Sequence, residues 1–274
     1  MDARWISLHA VIWGCRIATM LRGSGAALER VLDGVASTAL SPQDRQALTV
    51  DVYDRQLRFR RAGPFAWEPP WWEADLPSAP ARILVGGCGT GREVRALLDR
   101  GYRVWAFDPS PVAVAACRRA NPDAEHVECF DYATLSRRPD AGTSAVHPSD
   151  LPFDAALLGW GSLSHLLAPS EHVRLFEALA RLCPGGPILA SFFLLDSSWP
   201  RDGRARRLGL RLGRWLAEAR ETVGPEARKM RLLAHAGFVY AFEQAELEHL
   251  AEACGRELRM YRDSYPHATF RVSR

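Results

Sequence analysis

The stretch most able to do chemistry is a glycine turn. Gly87, Gly89 and Gly91 lie two apart in Gly86-Gly87-Cys88-Gly89-Thr90-Gly91-Arg92-Glu93, directly after the aliphatic run Ile83 to Val85. Such a run has the pattern of a strand buried on both faces, and Glu93 to Asp99 reads as the first turns of a helix. Glycines in that turn permit positive φ and let a ligand approach bare backbone. A second apolar run, Arg103 to Phe107, ends on Asp108. A carboxylate there can accept both ribose hydroxyls of a nucleoside whose tail lies over the glycine turn. Farther on, Phe153 to Trp160 reads as another strand, and the loop Gly159 to Leu166 follows it and carries His165. An imidazole at that edge is suited to taking a proton near neutral pH. The other reading of His165 is a structural histidine that caps the next helix or bonds a backbone carbonyl.

Two nucleotide-binding families use a strand, a glycine turn and a distal acid, and spacing separates them. A dinucleotide fingerprint needs G-x-G-x-x-G, with its third glycine where this chain has Arg92. The spacing here is G-x-G-x-G. It resembles motif I of the class I S-adenosylmethionine (SAM) dependent methyltransferases, hhDhGCGTG, and the resemblance extends over residues 80–195 and more weakly to the C-terminus. One departure is visible: the acid usual in that strand is Val85 here, as it is missing in some small-molecule members. The resemblance implies a Rossmann-like α/β fold with a seven-stranded, mostly parallel sheet and an antiparallel last strand. It implies SAM as cofactor, S-adenosylhomocysteine as product, and in-line transfer of a methyl group to a nucleophilic atom of a small molecule.

The resemblance also assigns residues. Gly87, Cys88, Gly89, Thr90 and Gly91 would lie beside the amino-acid part of SAM, with Asp108 and Pro109 at the ribose. Asp131 would accept from the adenine amino group while Tyr132 packs on the ring. Gly159 and Trp160 would lie at the edge where the reacting methyl sits, and Asp154 resembles the acid that opens this strand in the family. No metal is expected. A methyltransferase acting on peptide or RNA, a nicotinamide oxidoreductase and a non-catalytic SAM-binding protein are the alternatives.

Length and composition frame this reading. The chain has 274 residues, 47% of them hydrophobic and 24% charged. That suits one soluble α/β domain with additions. A formal net charge of +3 is too small to indicate nucleic acid as partner. Cys15, Cys88, Cys117, Cys129, Cys183 and Cys254 include no C-x-x-C pair and read as buried thiols. No run reaches the roughly eighteen apolar residues of a membrane helix, so no membrane partner is expected. Asp2, His9 and Arg16 interrupt the apolar N-terminus, against a signal peptide. The expectation is a cytoplasmic monomer or homodimer acting on a small molecule.

The elements that must position the site divide into two expected domains. Residues 1–80 read as a cap: helices at 4–22, at about 28–37 and at 42–61, the last started by Ser41-Pro42. Residues 63–80 are rich in proline and tryptophan and read as lacking regular structure. Tyr53, Trp67 and Trp71 would form an aromatic lid with substrate contacts. Residues 81–274 form the expected SAM-binding domain. His172 starts a helix at Pro169 and is expected to be exposed. An insertion over 197–236 carries seven arginines between Arg201 and Arg220, and reads as a basic amphipathic helix. That helix is either a solvated face or a substrate lid. Ser162, Trp215 and Tyr240 complete the expected substrate contacts, and residues 257–263 and 268–272 read as a closing pair of strands.

Overall fold

The structure, a computed structural model, describes residues 24–56, 63–136, 152–196, 203–217, 229–262 and 264–272. The expected helix at 4–22 lies outside them. The chain opens with helices α1 (Ser24–Ala39), α2 (Pro42–Gln56) and α3 (Glu68–Asp75). Then come β1 (Arg82–Gly86), α4 (Arg92–Leu98), β2 (Arg103–Asp108), α5 (Pro111–Ala120), β3 (His126–Cys129) and α6 (Tyr132–Ser136). Strand β4 (Ala155–Leu158) leads through a 3₁₀ turn (Ser162–His165) to α7 (Pro169–Leu182), β5 (Ile188–Ser191) and β6 (Phe193–Leu194). Helix α8 (Arg204–Ala217) and strands β7 (Met230–Leu233) and β8 (Gly237–Phe242) form the insertion. Helix α9 (Gln244–Ala253) and strands β9 (Arg256–Tyr261) and β10 (His267–Val272) end the chain.

Two compact units result: residues 1–56 with 195–241, and residues 57–194 with 242–274. The boundary expected at 80/81 falls instead at 56/57, and the arginine-rich insertion joins the N-terminal helices. The second unit holds a seven-stranded sheet in the order β3-β2-β1-β4-β5-β10-β9. Strands β1 to β5 are parallel, and β10 runs antiparallel to both β5 and β9. This is the expected fold class. Alternating residues point to opposite faces. Ile83, Val85, Val104, Ala106, Val127 and Leu157 pack with Trp71, Trp72, Val94 and Leu97 on one face. On the other, Trp105 meets Phe107, Phe130 and Phe153. Covering both faces directs the carboxyl ends of the parallel strands, where ligands gather in such sheets, to one edge.

The proline-rich segment corrects an expectation. Residues 68–75 form α3, because Pro69 and Pro70 follow Glu68 within its first turn, where a missing N–H costs nothing and the fixed φ is already helical. Trp71 and Trp72 then fall inside the helix and are almost wholly buried. The Trp71 indole donates to Thr269 Oγ1 at 2.8 Å.

The first unit packs α1 against α8 by backbone approach. A Cβ at Gly34 would lie 2.6 Å from the Arg206 carbonyl oxygen, and one at Gly209 or Gly213 would strike the backbone or side chains of Val31, Val35 and Thr38. Buried Asp33 accepts from Arg206 Nε at 2.7 Å and from the Leu232 N–H at 2.9 Å, tying α1, α8 and the β7–β8 hairpin together.

Candidate active site

The glycine turn is built as its spacing requires. Gly87, Gly89 and Gly91 all have positive φ, at 65°, 54° and 90°. Their surroundings differ. A Cβ on Gly91 would meet Asn121 and, at 2.7 Å, the Cys117 sulfur; one on Gly87 would lie 2.6 Å from Ser162 Cβ. At Gly89 a Cβ would meet nothing within 4 Å. Gly87 and Gly91 are therefore glycines of packing, and Gly89 turns bare backbone toward open space.

Asp108, at the end of β2, closes this turn. Its Oδ2 accepts the Gly89 N–H at 2.8 Å and its Oδ1 accepts the Ser110 N–H at 2.9 Å. Both oxygens are thus held by backbone N–H groups. Pro109 beside it is exposed. Cys88 and Thr90 complete the loop. The Cys88 thiol is pushed well above its ordinary range by its hydrogen bond with Cys117 and by burial, which makes it packing rather than a nucleophile.

Asp131 caps α6, its Oδ1 accepting from the Thr134 N–H at 2.8 Å and the Thr134 hydroxyl at 2.7 Å. Tyr132 turns the other way. It is buried, its ring meets Phe107 edge-on at 5.4 Å, and its hydroxyl bonds Ser162 Oγ at 2.7 Å. A Cβ at Gly86 would be 2.8 Å from this ring, so Tyr132 fills the volume that Gly86 leaves. Burial raises its pKa far above the phenol value. Tyr132 and Ser162 are thus a buried brace under the glycine turn rather than an exposed platform for a base.

The β4 loop meets the turn through backbone. The Gly159 N–H donates to the Gly86 carbonyl at 2.7 Å, and a Cβ at 159 would lie 2.5 Å from the Gly87 carbonyl. The Trp160 N–H donates to Glu93 Oε1 at 3.1 Å. Glu93 also pairs with Arg92, whose guanidinium reaches Glu68 of α3 with Nη2 2.8 Å from Oε1. Burial raises the Glu68 carboxyl above its usual range even with Arg92 beside it. Glu68, Arg92 and Glu93 were not singled out from sequence. The available signal was a cation in the first turn of α4, where the helix end favours anions.

Aromatic rings line the same edge. Phe65 lies 4.8 Å from Trp160, which is 37% exposed, and under the Arg92 guanidinium at 4.7 Å. Tyr265 stands 5.8 Å from Trp160 and 5.7 Å from Trp67. Trp67 in turn stacks on His267 at 4.6 Å. His165 ends the 3₁₀ turn after Gly161 and is half-buried. His172 corrects another expectation. It is 2% exposed, its Nε2 bonds the Leu166 carbonyl oxygen at 2.8 Å, and desolvation lowers its pKa to about 4. Asp154 lies at the opposite end of the sheet, accepting the Arg82 N–H at 2.8 Å. Of the expected substrate contacts, Trp71 and Tyr240 are sealed in their cores. Tyr53 and Trp215 belong with Tyr240 to the first unit, Tyr53 half-buried and Trp215 68% exposed.

Known proteins resemble parts of this chain. Residues 84–188 match the family model described as a methyltransferase domain. Over 112 residues the chain is 36% identical to a trans-aconitate 2-methyltransferase of Methylobacterium nodulans, covering 40% of this chain and 37% of that relative's length. A solved SAM-dependent methyltransferase of Methanosarcina mazei aligns with a TM-score of 0.51 at 18% identity, over 75% of this chain and 98% of the other. A TehB-like SAM-dependent methyltransferase of Corynebacterium glutamicum gives 0.50 at 16%, over 83% and 99%. These two likenesses establish the fold, and the family match falls on the glycine turn and on strands β2 to β4. Residues 84–188 thus resemble a methyltransferase domain, and the chain shares its fold with two SAM-dependent methyltransferases.

Proposed function

We propose that the protein transfers a methyl group from SAM to a nucleophilic atom of a small molecule. The observation that carries this reading is the pairing of Asp108, held by two backbone N–H groups, with the open face of Gly89. That is the donor and acceptor set a nucleoside with a charged tail needs. When bound, SAM supplies an electrophilic methyl carbon on a sulfonium. Asp108 would accept the ribose hydroxyls, the backbone at 87–91 would face the amino-acid end, and Asp131 would lie toward the adenine. Little covalent help is required of the protein. Alignment of the acceptor and exclusion of water are the main contributions, and Phe65, Trp67, Trp160 and Tyr265 suit the second. His165 is the residue proposed to take the acceptor's proton.

The aromatic edge favours a small acceptor with apolar surface over an extended charged chain. The relative that methylates trans-aconitate places small carboxylic acids first in a substrate panel. The test is calorimetry with SAM, S-adenosylhomocysteine and NAD, followed by turnover on metabolites, peptides and RNA. SAM binding with turnover on a metabolite supports the reading, while NAD binding without SAM binding overturns it. His165→Gln should lower turnover and flatten the pH profile while SAM still binds; unchanged turnover returns His165 to structure.

A further inference from the structure

Helix α8 is divided lengthwise into three stripes. Arg206, Gly209, Leu210 and Gly213 are buried, and the two glycines bring its backbone against α1. The rest faces outward. Leu208, Leu212, Trp215 and Leu216 are 51%, 41%, 68% and 58% exposed. At 100° per residue they fall on one outer flank. Arg204, Arg207, Arg211 and Arg214, all exposed, fall on the other. No acidic residue occurs between Arg204 and Ala217. Half of the large exposed hydrophobic side chains of the described structure, including the most exposed tryptophan, lie on this one helix. A solvated helix face has no use for four such side chains in register.

We infer that this face of α8 docks on the surface of a membrane rich in anionic phospholipid. No described helix is long and apolar enough to cross a membrane, but a protein need not span a membrane to bind one. Lying on a membrane demands something else: an apolar flank that enters the headgroup region and a cationic flank that stays with the phosphates. Leucines and a tryptophan beside four arginines meet that demand, since tryptophan favours the interface and long arginine stems let guanidinium groups reach phosphate. The stripes run parallel for about 12–15 Å, so both can meet one plane together. A second copy of the chain fits less well, because it would bring another acid-free arginine stripe without counter-charge. Nucleic acid would use the arginines and leave the leucines unexplained. This surface goes beyond the methyl-transfer reading and does not depend on it.

The test is flotation of the whole protein with vesicles of phosphatidylcholine alone and of phosphatidylcholine doped with phosphatidylglycerol. The expected result is binding to the doped vesicles only, falling as salt rises. Arg207→Gln with Arg211→Gln should weaken it about fivefold per arginine removed. Leu212→Ser with Trp215→Ser should abolish it, with the melting temperature of both variants near that of the parent because all four positions are exposed. Failure to bind doped vesicles overturns the inference, as does binding that both variants retain. A dimer that Leu212→Ser with Trp215→Ser converts to monomer, without vesicle binding, would assign the face to self-association instead.

Discussion

Gly89 and Gly91 lie two residues apart in one loop, and their alanine variants should fail in different ways. Gly91 sits at φ 90°, and an added Cβ meets Asn121 and Cys117. Left-handed strain costs about 1–2 kcal/mol in a residue with a side chain, and overpacking a filled site adds about 1–3 kcal/mol. The sum, about 2–5 kcal/mol, lowers the melting temperature of a domain this size by about 5–15 °C. Gly89 sits at φ 54° with nothing near its Cβ, so only the strain applies, about 3–6 °C. That Cβ would instead enter the space proposed for the cofactor. Gly89→Ala should therefore weaken SAM binding by about tenfold or more while remaining the better-folded variant. Scanning fluorimetry and isothermal titration of both variants provide the readings. If Gly91→Ala melts with the parent protein, or Gly89→Ala binds SAM as tightly as the parent, the division between packing and ligand glycines is mistaken.

Other outcomes follow from the buried charges. His172 has its pKa lowered from 6.5 to about 4, so the unfolded chain binds the extra proton first. The stability it contributes is whole above pH 6.5 and lost as pH falls toward 4, up to about 3 kcal/mol; thermal melts across that range should show a slope that His172→Gln reduces. Arg92→Met leaves Glu68 and Glu93 without their shared cation and should cost about 3–5 kcal/mol. Adding Glu68→Gln should return part of it, and a denaturation cycle without coupling would remove the triad from the account. In the first unit, Gly209→Ala should force α1 and α8 apart and destabilise by about 1–3 kcal/mol, visible as a lower urea midpoint.

What could be read from sequence was what neighbouring residues decide together. The glycine turn, the acid at the end of β2, and α7 between Pro169 and Leu182 depend on spacings of a few residues. Helix α3 is hard to read from sequence because paired prolines usually break helices, whereas in the first turn, here at the second and third helical positions, they are tolerated. The triad joins residues 24 positions apart, and nothing local marks that contact. Tyr132 was expected beside a base at the end of a strand; it is the first residue of α6, and its ring is buried against Phe107. Only the empty volume at Gly86 shows that the ring folds under the turn, and the doublet Gly86-Gly87 was its one trace. His172 looked exposed as a first-turn residue until Phe242 packed on it, 4.6 Å between ring centres. The close approach of Gly209 and Gly213 to α1 depends on a chain reversal that no spacing encodes.

The central claim is that Asp108 and the glycine turn bind the adenosyl moiety of SAM. Titration of SAM into the parent protein and into Asp108→Ala tests it most directly. Saturable binding to the parent and about 10–150-fold weaker binding to the variant are expected, since a charged hydrogen-bond acceptor contributes about 1.5–3 kcal/mol. Equal affinity in the two proteins, or no SAM binding by a folded parent, would contradict it.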